Sequence, residues 1–519
     1  MIILSSVALA IAAVGTCCGD LRFWRVAQRE HYLVGETAAF GRRWWQGGWD
    51  STLLFGVGMA GAIATAFVPA AAIVPGLVAV AAPLRLSLRG RTGRLSWTRR
   101  LATLAGVTVL LEGAGAALGA LGSGLEGATL AVALESMLTP LFVDAALVAT
   151  RPLEEAMARR FVEQARARLE RVHPLVVAVT GSYGKTTVKG YIAHLVGSYK
   201  TTLPSPKSFN NRAGLARTVN EHLGPATEVL VAEMGTYGPG EIAEMCSWMR
   251  PQISVMTAIG PAHLQRFKSL DNTLRAKAEI TETAQVVVLN ADDERLAAYG
   301  RELAALGEKR VLLASGRDGS ADVAVVPGEE GLALYVAGEK VGLAAVGPGE
   351  RPTAASNAAC AAAVALELGV PAPEVLARLA SLPLPANRLQ RYRADGGYLV
   401  YDDTFNSNPT GARLALQRLA EESEVSPGGR RVVVTPGMVE LGPEQARENE
   451  SFGAAAAAVA DRLFVVARTN RAALLRGARQ SSAEVVTVDR LDQAIAWVRD
   501  NLGPGDAVLY ENDLPDHYL

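Results

Sequence analysis

Residues 180 to 187 read Thr-Gly-Ser-Tyr-Gly-Lys-Thr-Thr, between the apolar run Leu-Val-Val-Ala-Val at 175–179 and a segment of helical character. A strand, a glycine loop and a helix N-terminus in that order make a phosphate cradle. Gly181 and Gly184, with Ser182 and Tyr183 between them, let backbone N–H groups approach phosphate oxygens; Lys185 offsets the β/γ charge, and the Thr186 or Thr187 hydroxyl is placed for Mg²⁺. The usual eight-residue pattern needs a glycine at position 179, where Val179 stands. The loop is therefore a shortened variant of a nucleoside triphosphate site.

The surrounding pattern fits such a loop. Apolar runs at 175–179, 228–232, 253–257 and 285–289 alternate with helix-like segments such as 186–197 and 270–283, which predicts a largely parallel α/β sheet. Residues 315–350 read as short strands and turns, and Ala354 to Leu368 as an alanine-rich helix. A second α/β unit is expected from about 394, with strands near 398–402, 431–435, 462–466, 484–488 and 507–510. The expected organisation is a helical membrane domain over 1–150, an ATP-binding domain over 151–393 and a Rossmann-like domain over 394–519, with the charged helix 151–171 as link.

The first 150 residues differ in kind. Half the chain is hydrophobic and its mean hydropathy is +0.18, and the excess lies in 1–18, 51–84 and 101–149. At about 20 helical residues per bilayer crossing, these hold one, two and two spans, with turns at Pro69 and near 122–127. Arg22, Arg25, Arg29, Arg42 and Arg43 precede the second stretch, and six arginines lie between 85 and 100. Positive loops stay in the cytoplasm, so five spans with the N-terminus outside put both arginine loops and the ATP-binding region on the cytoplasmic side of the cell membrane. Residues 1–18 lack the basic start of a signal peptide, which favours an uncleaved span. Trp44, Trp45 and Trp49 fit an interfacial belt or burial against the enzyme domain. Four cysteines without metal-ligand spacing suit a reducing compartment, and a formal net charge of −1 gives no ground for nucleic-acid binding; membrane lipid is the expected partner of the arginine loops.

Taken in order, the shortened loop, Val231-Ala-Glu-Met-Gly-Thr-Tyr-Gly-Pro-Gly-Glu-Ile242, Gly260-Pro-Ala-His-Leu264, Lys277-Ala-Glu-Ile280 and Asp402-Asp-Thr-Phe-Asn-Ser-Asn-Pro409 resemble the Mur ligases, which make peptide bonds in cell-wall precursors. Lys189, Asn210-Asn211 and Met438-Val-Glu-Leu-Gly442 look most like the branch that adds D-alanyl-D-alanine. The resemblance spans roughly 175–510. It implies ATP, two Mg²⁺ ions held by Thr186, Glu233, His263 and Lys277, and carbamylation of Lys277 by CO₂. It places Asn357 at the adenine, Arg388 and Asp403 at the nucleotide (or in an interdomain salt bridge), and Asn210, Asn211, Asn406 and Asn408 on the substrate side.

The implied chemistry is activation of a carboxylate as an acyl phosphate and its capture by an amine. This sequence departs from the pattern in three places: Thr353 and Ala354 stand where the family has His-Asn, Phe405 replaces a tyrosine, and the chain ends without the usual basic residues. Membrane spans also stand where soluble members hold a UDP-sugar. The expected acceptor is a cell-wall peptide precursor, UDP-linked or lipid-linked, and the amine an amino acid or dipeptide. The competing readings are a polyamide synthetase of the poly-γ-glutamate or cyanophycin type and an ATP-driven membrane transport or sensor protein; the scarcity of charge in 101–149 argues against transport.

Overall fold

The structure, a computed structural model, describes residues 2–46, 48–83, 86, 95–262, 264–346, 354–383, 389–404, 407–422, 424–514 and 518. It divides into two compact units, Met1–Ala158 with Leu514–Leu519, and Arg159–Asp513.

The first unit is helical: α1 (Ile2–Arg29), α2 (Glu36–Gln46), α3 (Trp49–Ala64), α4 (Ile73–Ala81) and most of α5 (Arg99–Val172). A 3₁₀ turn opening at Pro69 separates α3 from α4. Inside α5 the backbone leaves the helix at Ser123 and at Gly124, whose φ of 58° costs glycine no Cβ clash. The chain doubles back there: Gly119 lies backbone to backbone against Gly127, and Gly115 beside the Glu135 carboxylate. Small residues also let α1 and α4 touch, since a Cβ on Gly15 would lie 2.6 Å from the Gly76 carbonyl oxygen. Arg22 caps the exit of α4, donating to the carbonyls of Ala82 at 3.0 Å and Leu86 at 3.1 Å.

Among the described residues two helices, Ile3–Arg29 and Arg99–Val172, are long and apolar enough to cross a membrane by length and composition, while 49–64 and 69–81 are shorter apolar helices. Two of the three tryptophans are not belt residues. Trp44 and Trp45 are buried inside this unit, Trp44 with Phe23, Phe40 and Leu104, and Trp45 with Val78 and Met137. The cause is the amphipathic period of α2, which turns Thr37, Phe40, Gly41, Trp44 and Trp45 inward. Trp49, 82% exposed, keeps an outward position.

The second unit contains two sheets. The first comprises β1 (Leu175–Thr180), β2 (Thr202–Pro204), β3 (Val229–Glu233), β4 (Ile253–Met256), β5 (Val286–Asn290), β6 (Arg310–Ser315), β7 (Val323–Gly328), β8 (Gly331–Val336) and β9 (Glu339–Ala345), in the order β2-β3-β1-β4-β5-β6-β7-β8-β9. Pairing is parallel up to β7, and β7 to β9 form an antiparallel meander. Helices α6 (Lys185–Val196), α7 (Arg212–His222), α8 (Glu241–Met249), α9 (Leu264–Phe267), α10 (Leu270–Ala278), α11 (Glu294–Ala305), α12 (Ala355–Glu367) and α13 (Ala372–Leu379) complete it. Strands β1, β3, β4 and β5 are almost wholly buried, which explains their unbroken Val/Leu/Ile runs. Because β1 lies between β3 and β4, its carboxyl end is the point where the strand order diverges, the usual place for a ligand crevice.

The second sheet comprises β10 (Gln390–Arg393), β11 (Leu399–Asp403), β12 (Arg431–Thr435), β13 (Arg462–Val466), β14 (Glu484–Val488) and β15 (Ala507–Glu511), in the order β10-β11-β15-β12-β13-β14, parallel except for β10. It carries α14 (Pro409–Ala420), α15 (Gln445–Val459), α16 (Arg471–Ala478) and α17 (Leu491–Asn501).

Helix α12 is enclosed on every side: residues 358–365, Ala-Ala-Cys-Ala-Ala-Ala-Val-Ala, have no accessible surface. It packs against α6, α13 and strands β5 to β7, and alanine is what lets a helix approach that many neighbours. Ala361→Leu should overpack this core and lower stability by about 1–3 kcal/mol, read by thermal denaturation; an unchanged melting temperature would show slack around α12.

Candidate active site

The phosphate loop leaves β1 under tight local control. The Thr180 hydroxyl donates to the Met234 carbonyl at 2.8 Å, and Ser182 receives Gly260 N–H at 3.0 Å while its own N–H donates to the Ala258 carbonyl at 2.7 Å. Gly184 has φ 80°, and a Cβ there would stand 2.6 Å from Asn357 Oδ1, so the glycine and the first turn of α12 are fitted to one another. The Tyr183 ring lies against Gly260. Lys185 folds its ammonium over the loop, donating to the Gly181 carbonyl at 2.7 Å and the Ser182 carbonyl at 3.3 Å.

Glu233 ends β3 beside this loop and is buried. Its Oε2 accepts from Thr186 Oγ1 at 2.9 Å and Lys189 Nζ at 3.0 Å, and its Oε1 from Asn210 Nδ2 at 3.2 Å. Burial alone would raise this carboxyl; Lys189 and Lys185 outweigh it and hold the group below the ordinary carboxylate range. Lys189 also donates to the Lys207 carbonyl, tying the loop before α7 to the nucleotide side. Thus Thr186, Glu233 and Asn210, expected to serve metal and substrate, meet in one network, and Lys189 is its organising cation.

Lys277, in α10, is 3% exposed. Burial first, then the neighbouring Lys185, push its ammonium well below the usual lysine range. The charges nearest it in sequence face elsewhere: Arg275 donates to Asn272, and Glu279 accepts from Gly240 and Ala243 N–H at the start of α8. The helix ends at Ala278, and a 3₁₀ turn over Glu279–Thr281 follows, shorter than the expected 270–283.

A cavity of about 880 Å³ opens against the phosphate loop, within the range of ligand pockets; Lys185, Thr186, Glu233 and Lys277 are not among the residues that line it. Tyr183, Gly184 and Thr187 line it from the loop, Asn357 from α12, and Asp403 and Asn408 from the second sheet's side. Asn290, Asp292, Asp293 and Arg317 line it too and were not singled out from the sequence. An Asn-Ala-Asp-Asp run directly after a buried strand, at the carboxyl edge of a parallel sheet, was the available signal. Asp292 is fixed by the Ser315 hydroxyl at 2.6 Å and Gly316 N–H at 2.9 Å.

Two expected substrate residues serve helices. Asn211 Oδ1 caps α7 through Gly214 N–H, and Asn408 Oδ1 caps α14 through Gly411 N–H, both at 2.9 Å. Asp403 accepts from Leu389 N–H at 3.1 Å. His263, Arg388 and Asn406 lie outside the described residues. Among the described residues no three His, Cys, Asp or Glu side chains form a metal cluster; Thr186 and Glu233 supply hard oxygen ligands of the kind Mg²⁺ takes, beside a glycine cradle suited to phosphate.

Lys189→Met should leave Glu233 buried without its closest cation. The expected cost is about 3–5 kcal/mol in metal-free protein, with part of it returned by Mg²⁺; thermal denaturation with and without the ion reads both, and an identical loss in each would refute the charge role.

Comparison with known proteins agrees with this geometry. The Mur ligase middle domain family matches residues 179–365, and the family described as Mur ligase, glutamate ligase domain matches residues 387–510. The chain is 33% identical to the UDP-N-acetylmuramoyl-tripeptide–D-alanyl-D-alanine ligase of Mycobacterium tuberculosis, over 64% of this chain and 69% of that enzyme. It is 29% identical to the Escherichia coli enzyme of that name, over 63% and 74%. A crystal structure of MurF from Acinetobacter baumannii superposes with a TM-score of 0.58 at 25% identity, covering 69% of this chain and 78% of that one. MurF ligase from Thermotoga maritima in complex with ADP, at 24% identity and a TM-score of 0.57 over 69% and 80%, shares the fold. With both of its sheets accounted for in this way, the chain belongs to the Mur ligase family.

Proposed function

We propose that the protein is an ATP-dependent carboxylate–amine ligase of peptidoglycan synthesis, adding D-alanyl-D-alanine or a related amino compound to the terminal carboxylate of a muramyl tripeptide at the cell membrane. The observation that carries this reading is the cavity reaching from the phosphate loop to Asp403 and Asn408 of the second sheet. One end suits a triphosphate, the other an amine donor. The names of the relatives support the substrate pair.

On this reading the ATP phosphates lie over Gly181 to Thr187, with Lys185 offsetting the charge that builds on the γ-phosphate. An oxygen of the acceptor carboxylate, arriving beside Asn210, attacks the γ-phosphorus; ADP leaves and an acyl phosphate remains. The amine attacks the acyl carbon, phosphate departs and the amide is formed. Asp403 and Asn408 close the far side and limit access of water, which would hydrolyse the acyl phosphate. Mg²⁺, when bound, would spread charge over the phosphoryl oxygens, with Thr186 and Glu233 holding one ion and His263 with carbamylated Lys277 a second. Lys277 suits that modification because burial and Lys185 disfavour its ammonium form, the free amine is the form that adds CO₂, and the product anion has Lys185 beside it.

The helical unit is assigned to the membrane as a multi-pass domain with the ligase part in the cytoplasm. Support comes from its two long apolar helices and from outward apolar side chains such as Ile3, Leu110, Leu118 and Leu121. A membrane-borne, lipid-linked acceptor follows naturally from that placement.

Two results test the reading. Full-length protein offered UDP-linked and lipid-linked muramyl tripeptides with D-alanyl-D-alanine should yield amide, ADP and phosphate, with the lipid-linked acceptor used well; product from neither would point to a polyamide ligase, and ATP hydrolysis independent of amine to a transport or sensor role. Lys277→Ala should abolish most turnover and regain part of it with added short carboxylic acids, which supply the missing anion. An unmodified Lys277 found by mass spectrometry in fully active protein would rule out the carbamate.

A further inference from the structure

Glu511 is the last residue of β15 and has no accessible surface. Its strand lies between β11 and β12, so its carboxylate stands at the carboxyl edge of the second sheet, opposite Asp403 in register. Ser407 Oγ donates a short hydrogen bond to Glu511 Oε1, and Thr435 Oγ1 donates to Oε2 at 3.1 Å. Ser407 itself is only half-buried and adjoins Asn408, which lines the cavity. The arrangement is a hydroxyl near the cavity backed by an enclosed carboxylate.

The amine that completes the ligase reaction arrives mostly as an ammonium ion, since an α-amino group titrates near 8, and an ammonium has no lone pair with which to attack. Resting on the ligase reading above, we propose that Ser407 and Glu511 form the proton relay that frees the incoming amine. The ammonium passes a proton to Ser407 Oγ as Ser407 passes its own to Glu511 Oε1. The freed nitrogen lone pair forms the C–N bond, the acyl C–O bond breaks with its electron pair leaving on phosphate, and the second nitrogen proton leaves with that phosphate. Glu511 then returns its proton to solvent through Ser407. Ser407 is the group that meets the amine; Glu511 acts through it.

The surroundings of Glu511 fit the task. Asp403 on β11 is the charged group that faces it, β12 presents the Thr435 hydroxyl, and the loop before α14 presents Ser407. Burial, with Asp403 adding to it, pushes the carboxyl up to about 8, so near neutral pH its ionised share takes the proton, and a base serves best when its pKa lies close to the working pH.

Hydroxylamine separates the two roles, because it is already neutral at pH 7 and captures acyl phosphates as hydroxamates without a base. In full-length protein, Glu511→Gln should lower kcat with D-alanyl-D-alanine by about 10²-fold or more and leave hydroxamate formation unchanged. The defect should shrink as the pH rises above about 8, where the amine arrives neutral. Should Glu511→Gln fail to fold, Ser407→Ala, in the half-buried loop, is expected to show the same split. Equal loss with both nucleophiles, or no loss with either, would overturn the relay and leave Ser407–Glu511 as a structural clamp. Wild-type protein that makes hydroxamate but no amide from D-alanyl-D-alanine would overturn the ligase reading and the relay with it, a failure recognisable because it precedes any substitution.

Discussion

The Glu233 carboxylate is delivered by a buried strand to the edge of a buried sheet, and an anion in that position must be compensated or neutralised. Lys189 supplies the compensation from the second turn of α6, and Thr186 and Asn210 supply hydrogen bonds from either side. The helix after the phosphate loop, the end of β3 and the loop leading to α7 are therefore joined by one charge. Whatever binds near Thr186 changes the field at Glu233, and so the same field at Asn210. The loop after β1 and the loop before α7 share an electrostatic centre before any ligand arrives.

That the loop and its strands could be read from sequence follows from the locality of their signals. Buried parallel strands show as unbroken runs such as Val286-Val-Val-Leu-Asn290, and the glycine spacing of the loop is set by chain geometry within eight residues. Partners distant in sequence leave no such trace. Glu279 follows Lys277 by two residues yet caps α8, because the helix ends at Ala278 and the 3₁₀ turn that begins at Glu279 carries its carboxylate toward Gly240. Asn211 and Asn408 are expected on the substrate side only through the resemblance, and the helix starts that their oxygens cap left no mark that separates the two tasks in the sequence. Trp44 and Trp45 look like an interfacial pair beside two arginines until the period of α2 turns them into the interior. Glu511 could be noticed from the end of the chain only as a missing basic residue; its enclosure arises because β15 inserts between β11 and β12, a pairing that sequence order does not suggest.

The two sheets contribute different kinds of precision. The first sets the phosphate loop by close backbone fits: Gly181 against the Thr257 hydroxyl, Gly184 against Asn357, Gly260 against Tyr183. The second sets its edge by side-chain hydrogen bonds that cross between strand ends, with Thr435 to Glu511, Gly437 N–H to Thr435 at 2.9 Å, and Asn512 Nδ2 to the Gly437 carbonyl at 2.7 Å. Steric fits tolerate little movement. Hydrogen-bonded ends can re-form with new partners.

The wall of the nucleotide cavity has a further property that follows from the composition of α12. Ala354, Ala355, Ser356 and Asn357 face the cavity at its first turn, and residues 358–365 behind them are six alanines, a cysteine and a valine. Alanine has no rotamers to restrict, so Ala354 and Ala355 have no side-chain freedom to lose when a ligand settles against them. Most binding surfaces become more ordered as they are filled. At these two positions there is no such ordering left to do, and the free energy of contact with a ligand there is undiminished by that term.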